Sequence, residues 1–179
     1  MTVPTTAASG ADPADLAGLF DRYARELLRY CSRRVGPQLA EDVVAETFLL
    51  AHEHRDRYDS SRGELLPWLY GIATNLLRRH RRVEVRALRL AARAESETEG
   101  PSRRTAERID GERTVARLAG VLAGLPRRQR DVLLLYAVAE LEYAEIAAAL
   151  DIPLGSVQSA LHRARTKVRA ALAAEGVAR

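Results

Sequence analysis

The chain has 179 residues, 47% hydrophobic and 29% charged, a composition that suits one helical domain or two small ones and lacks any apolar run long enough to span a membrane. Its single cysteine, Cys31, excludes an intramolecular disulfide and a multi-cysteine zinc site. The net charge of +4 is unevenly spread: −3 over residues 1–60, +6 over 61–93, −3 over 94–112 and +4 over 113–179. Two basic blocks alternating with two acidic ones suit a protein whose separate surfaces meet a polyanion and a basic protein.

Residues 1–13 combine Pro, Thr, Ala and Gly with neither a cationic start nor an apolar segment, so they read as a disordered tail and not as a signal peptide. A cytoplasmic protein is expected. Ala- and Leu-rich periodicity, with two Phe, one Trp and no alternating β-branched runs, predicts an all-α fold. Residues 14–35 form the first amphipathic helix, with Leu16, Leu19, Phe20, Tyr23, Leu27 and Tyr30 on one face, and "GPQ" breaks it. A second helix, from about Leu39 to Arg57, has an apolar side of Val43, Val44, Thr47, Phe48 and Leu50 and an acidic side of Glu41, Asp42, Glu46 and Glu53. "YDSSRG" is a polar loop. The third helix begins at Glu64, tolerates Pro67 in its first turn, repeats Leu65, Leu69, Ile72 and Leu76, and runs on into the arginine-rich "RRHRRVEVRALR".

Residues 94–112 contain Gly100 and Pro101 and little apolar content, and are expected to be a flexible linker. Joined in this way, two small helical domains would sample many relative arrangements. Beyond the linker, a helix from about Arg113 to Ala123 ends at "GLP", and Pro126 opens an apolar helix through Val132, Leu133, Leu135, Tyr136 and Val138. The stretch "AEIAAALDIPLGSVQSALHRARTKVR" then splits into two apolar-periodic halves around "DIPLG". In the second half Val157, Leu161, Ala164 and Val168 form one stripe while Ser159, His162, Arg163 and Thr166 point the other way. That is the outline of a helix-turn-helix, although an ordinary hairpin with a solvated outer face has the same pattern. Residues 113–174 form the second domain and 175–179 a short tail.

Three segments in order decide between these readings. "AEDVVAETFLLAHEH", "LLPWLYGIATNLLRRHRR" and "LPRRQRDVLLLYAVAELEYAEIAAALDIPLGSVQSALHRAR" together resemble the small two-domain bacterial sigma factors of the sigma-70 family, extracytoplasmic-function (ECF) group. The resemblance covers about residues 14–173. It implies that residues 14–93 are sigma region 2 and 113–174 sigma region 4, and that the chain binds core RNA polymerase and directs promoter-specific initiation. The first segment would grip the clamp helices of the largest subunit through Glu41, Asp42 and Glu46. Asp42 and Glu46, at i and i+4, share a helix face able to pair with basic side chains, while Ala45 stands where family members usually carry Gln.

The second segment and the loop before it would melt and read the minus-ten element. Tyr58, Asp59, Ser60, Ser61 and Arg62 would hold a flipped base, and Asn75, Arg78, Arg79 and Arg82 would meet base edges and phosphates. Trp68 suits either a packed core or a base-stacking platform. The minus-thirty-five element would be read by Ser156, Gln158, Ser159, His162, Arg163, Arg165, Thr166 and Lys167, with Arg163, Arg165 and Lys167 wholly or partly on phosphates. Family members commonly have Lys and Arg where this chain has Gln158 and Ala160.

The expected partners are therefore core polymerase, including the flap of its β subunit, and promoter DNA, with an anti-sigma factor as a further candidate. The sequence has no phosphate-binding glycine loop and no metal-ligand cluster, so no cofactor, metal or catalytic residue is assigned and no enzymatic activity is expected. A helix-turn-helix repressor or activator acting without polymerase is the alternative. It would leave the acidic second helix and arginine-rich third helix without a role.

Overall fold

The computed structural model describes residues 16–93 and 106–173. The expected tails and the first part of the expected linker, residues 94–105, lie outside the described residues. Every regular element among the described residues is helical: α1 (Leu16–Val35), α2 (Pro37–Glu53), α3 (Leu65–Arg79), α4 (Arg81–Arg93), α5 (Ala106–Gly124), α6 (Arg127–Ala137), α7 (Tyr143–Leu150) and α8 (Leu154–Ala173). Short 3-10 turns occupy Arg55–Arg57 and Ser60–Arg62. None of these helices is long and apolar enough to cross a membrane.

Gly36 turns the chain from α1 to α2 at φ 87°, a conformation that costs other L-residues strain, and Pro37 supplies the fixed φ of a first helical position. The helices α1, α2 and α3 then bury Leu19, Leu27 and Tyr30 against Val43, Val44, Phe48, Leu69, Ala73 and Leu77. Tyr30 and Tyr70 meet edge-on at 5.2 Å between centroids, and the Tyr30 hydroxyl lies 2.9 Å from Thr74 Oγ1. Within the second unit, α6 and α7 pack on α8 through Val132, Leu135, Ile146, Val157 and Leu161.

Three boundaries differ from the sequence reading. The second helix stops at Glu53 and tightens into the 3-10 turn at 55–57. The long third helix is two helices: at His80 the amide donates to Leu77 O at 3.0 Å, and α4 begins at Arg81. The helix of the second unit begins at Ala106, inside the expected linker, and α5 packs on α4.

The larger difference concerns the two units together. The all-α, two-unit layout is as expected, but the units do not stand apart. One apolar cluster runs from Leu19 in α1 to Leu161 in α8, and α3 packs directly on α7. At the crossing, a Cβ on Gly71 would collide with the carbonyl oxygen of Ala149. Glycine in mid-helix costs about 1 kcal/mol of helix propensity relative to alanine, and here the close approach of two backbones explains it.

Beside that crossing lies a buried ionic cluster. Arg34 Nε donates to Glu84 Oε1 and Arg34 Nη2 to Asp131 Oδ1, each at 2.7 Å. Arg78 Nε donates to Asp131 Oδ2 at 3.0 Å, and Arg130 Nη2 lies 3.2 Å from Glu84 Oε2. Three guanidiniums thus share two carboxylates. Burial alone would lower the pKa of Arg34, but Tyr30, Asp131 and Glu84 outweigh it and hold the charge more firmly than usual. Charges removed from water persist only when paired in this way.

Burial acts on two neighbouring neutral groups. It pushes the Tyr30 hydroxyl from 10.0 up to about 12 against the opposing pull of Arg34, and the Cys31 thiol from 9.0 up to about 12. The folded chain therefore keeps protons that the unfolded chain releases. Stability from these groups is fully present below about pH 9 and is lost as pH rises toward about 12. Denaturant titrations across that range should show a loss of about 3 kcal/mol or more, and Tyr30→Phe with Cys31→Ala should flatten the profile. At pH 8 a thiol reagent should modify Cys31 only as fast as the chain unfolds.

Candidate functional site: a nucleic-acid interface

The loop between α2 and α3 is built by its own polar groups. Asp59 Oδ1 accepts from the Ser61 amide at 2.9 Å and from Ser61 Oγ at 2.6 Å, which closes the turn at 60–62. The Tyr58 hydroxyl donates to Gly63 O at 3.2 Å, and Gly63, at φ 150°, lets the chain enter α3. Asp59 and Ser61 are therefore engaged in shaping the loop. The Arg62 side chain lies outside the described part of the loop.

Tyr58 and Trp68 face each other at 5.4 Å between centroids, and with Asp59 and Asn75 they wall a cavity of about 370 Å³. Trp68 is half-buried, so it serves the core and presents an aromatic edge to the cavity as well. Burial, then Tyr23, Glu64 and Asp59, raises the Tyr58 pKa, so its hydroxyl stays a donor at neutral pH. An aromatic pair, an amide and a nearby cation suit an unstacked nucleobase, which has a π-face and a hydrogen-bonding edge.

The cations that follow Asn75 on α3 and α4 are not equivalent. Arg78 binds Asp131 and, at 2.7 Å, Asn75 Oδ1, while Arg79 Nη1 donates to Glu46 Oε1 at 3.2 Å. Arg82 is exposed and shares an open groove with Arg81, Arg86, Arg89 and Arg93 along α4. Of the expected acidic contacts on α2, Glu41 and Asp42 are exposed, whereas Glu46 already has Arg79 as a neighbour.

In the helix-turn-helix, α7 opens with a capping box in which Glu145 Oε2 accepts from the Glu142 amide at 2.7 Å. It closes with Asp151 at φ 50°, and α8 begins at Leu154. Val157, Ala160, Leu161 and Ala164 are buried; Gln158, Ser159, His162, Arg163 and Thr166 share the exposed face. Ser159 Oγ donates to Ser156 O at 3.2 Å and Thr166 Oγ1 to His162 O at 3.0 Å, so both hydroxyls are turned back on the helix. Lys167 Nζ donates to Gln129 Oε1 at 3.3 Å. Arg165 differs from its neighbours: its guanidinium lies 4.5 Å above the Tyr136 ring and donates to the Tyr143 hydroxyl at 3.4 Å, which ties α8 to α6 and α7.

Sequence reasoning missed Arg34, Glu84, Arg130 and Asp131. The signal was present in part: Arg34 falls four residues beyond Tyr30 on the apolar stripe of α1, and Asp131 falls four before Leu135 on that of α6. A charge at a core position needs a partner, which periodicity does not identify.

Comparison with known proteins places these features in a family. Residues 19–87 match the family model "Sigma-70 region 2" and residues 116–168 match "Sigma-70, region 4". The chain is 30% identical over 173 residues to the ECF RNA polymerase sigma factor SigL of Mycobacterium tuberculosis, covering 96% of this chain and 97% of that one. It is 32% identical over 168 residues to SigW of Bacillus subtilis, covering 88% and 89%. Among solved structures, CnrH of Cupriavidus metallidurans in complex with the cytosolic domain of CnrY superposes with a TM-score of 0.61 at 27% identity, covering 89% of this chain and 88% of that one. With both conserved regions in order along one helical chain, and relatives matched over almost their whole length, this protein belongs to the ECF group of sigma-70 family RNA polymerase sigma factors, which direct promoter-specific transcription initiation.

Proposed function

We propose a division of labour among named residues within that role. Residues 14–93 act as region 2, in which Glu41 and Asp42, with Glu46 beside them, engage the basic face of the polymerase clamp helices. The Tyr58–Asp59–Ser60–Ser61–Arg62 loop and Asn75 receive a base of the melted minus-ten element, while Arg78, Arg79 and Arg82 follow the backbone. Residues 113–174 act as region 4, in which Gln158, His162 and Arg163 meet the minus-thirty-five duplex and the unit docks on the β flap. The observation that carries this reading is the cavity walled by Tyr58, Trp68 and Asn75, with the Arg78 guanidinium hydrogen-bonded to Asn75 at 2.7 Å.

Arg165 is assigned a structural part, since a guanidinium stacked on Tyr136 is less available to phosphate. Ser156, Ser159, Thr166 and Lys167 stay within the proposed surface as secondary contacts. The chain carries no covalent chemistry in this scheme; nucleotidyl transfer belongs to the polymerase, and the protein works in the cytoplasm alongside it. Because CnrH was solved with the cytosolic domain of CnrY bound to it, an anti-sigma factor is a further proposed partner here.

Replacing Glu41 and Asp42 by Lys reverses charge at two exposed positions, so helix content should be unchanged while affinity for core polymerase falls at least about tenfold. Unaltered binding in a pull-down would remove this face from the interface. Arg163→Ala and Arg165→Ala should separate reading from support. The first should lower transcription from promoters that need the upstream element, by the equivalent of about 1–3 kcal/mol if the guanidinium reads a guanine, with thermal stability unchanged. The second should lower thermal stability, by about 0.5–1 kcal/mol for the lost cation–π contact. Equal thermal shifts in the two variants would refute the distinction.

A further inference from the structure

Asn75 and Arg78 stand three residues apart on α3, so their side chains share one face of that helix and the bond between them is internal to it. Arg78 Nη1 donates to Asn75 Oδ1 at 2.7 Å, and Arg78 Nε donates to Asp131 Oδ2 at 3.0 Å. A carboxamide can turn either its oxygen or its nitrogen toward a neighbour, but a guanidinium carries only donors. The oxygen of Asn75 therefore faces Arg78. Its other end, Nδ2 with two donor hydrogens, is left to meet what enters the cavity that Asn75 lines. Tyr58, across the same cavity, is fixed in the opposite sense: its hydrogen goes to Gly63 O, so its oxygen accepts. Two groups that could each have presented either sign are thus set by their neighbours, one as donor and one as acceptor.

We propose that Arg78 is a positioning residue for base readout: it fixes the Asn75 amide so that Nδ2 donates to an acceptor on the captured base, a ring nitrogen or a carbonyl oxygen, and so sets which base the site prefers. The proposal rests on the reading of the Tyr58–Asn75 cavity as the single-stranded minus-ten site, and it gives Arg78 a role that following the backbone does not contain. Asn75 is exposed, and in water an unrestrained amide exchanges its two ends, offering donor or acceptor with little discrimination. A charged donor at hydrogen-bond distance removes that choice, since the flipped amide would set N–H groups against N–H groups. The two roles differ in what their loss does. Removing a phosphate contact weakens all sequences by a similar factor and lowers the salt slope, whereas removing a positioning contact relaxes the preference at one base.

The test uses holoenzyme assembled from core polymerase and the full chain, with a pool of short single-stranded DNA of randomised sequence as the probe. Retained strands are sequenced, and the preference at each position is the ratio of the favoured base to the next. Asn75→Ala identifies the position concerned, because the preference there should disappear. At that position Arg78→Ala should bring a preference of about fivefold or more below about twofold, and Arg78→Lys, which restores a charged donor, should recover most of it. Asn75→Asp keeps an oxygen toward Arg78 and puts a second oxygen where Nδ2 was. The favoured base at that position should then change to one that presents an amino or imino hydrogen.

Uniform weakening in Arg78→Ala with the preference retained overturns the proposal, as does an Asn75→Asp holoenzyme that favours the same base as the parent. Asn75→Asp leaves the Arg78–Asp131 pair in place, so it decides the matter if Arg78→Ala loses helix content. Failure of the underlying reading looks different: Asn75→Ala would then leave the preference unchanged at every position.

Discussion

Arg34 is the side chain on which the arrangement of the whole molecule turns. It rises from the core face of α1 where an apolar residue would complete the stripe, and its charge needs carboxylates within reach. Glu84 comes from α4 and Asp131 from α6, so satisfying one guanidinium aligns three helices from both halves of the chain. The interruption at His80 separates α3 from α4, and Glu84 of α4 meets both Arg34 and Arg130. The cluster is not fully balanced: Arg130 Nε is buried without a hydrogen-bond acceptor among the described residues. Such a cluster selects one arrangement more strongly than it stabilises it.

The DNA-facing chemistry is distributed around this cluster with a consistent logic. Residues that shape the site are engaged locally: Asp59 and Ser61 in a turn, Glu142 and Glu145 in a cap, Arg165 over Tyr136. These interactions span a few residues or one helix contact, so they persist whether the two regions are together or apart. Arg78, by contrast, is held across the interface by Asp131. Local bonds thus set the form of each proposed surface, while a long-range ion pair holds Arg78.

This separation suits a sigma factor, whose two regions must be presented together at a spacing that belongs to the polymerase. A chain with rigidly displayed DNA sites would compete for nonspecific DNA through its many arginines, an attraction that depends on phosphate contacts and not on sequence. Two of those arginines, Arg78 and Arg79, already have carboxylate partners within the chain. The α4 groove of Arg81, Arg82, Arg86, Arg89 and Arg93 stays open, and in the proposed scheme it would supply salt-dependent attraction to DNA.

Much of the fold was legible because helices are local: the 3.6-residue apolar repeat, Gly36–Pro37 and the Asp–Ile–Pro break each act within a few residues. The candidate site came from the resemblance of its segments to a known family, which pointed to the polar residues of Tyr58–Arg62 and Ser156–Lys167. The roles of Arg78, Arg79 and Arg165 were not, because whether an arginine faces solvent, a carboxylate or a ring depends on segments far along the chain. The same holds for the break at His80, for the extension of α5 into the expected linker and for the purpose of Gly71. The sequence by itself determined which segments are helical and which faces carry charge. Tertiary structure alone decided which charges meet, because a buried ion pair joins residues such as Arg34 and Asp131 that no periodicity connects.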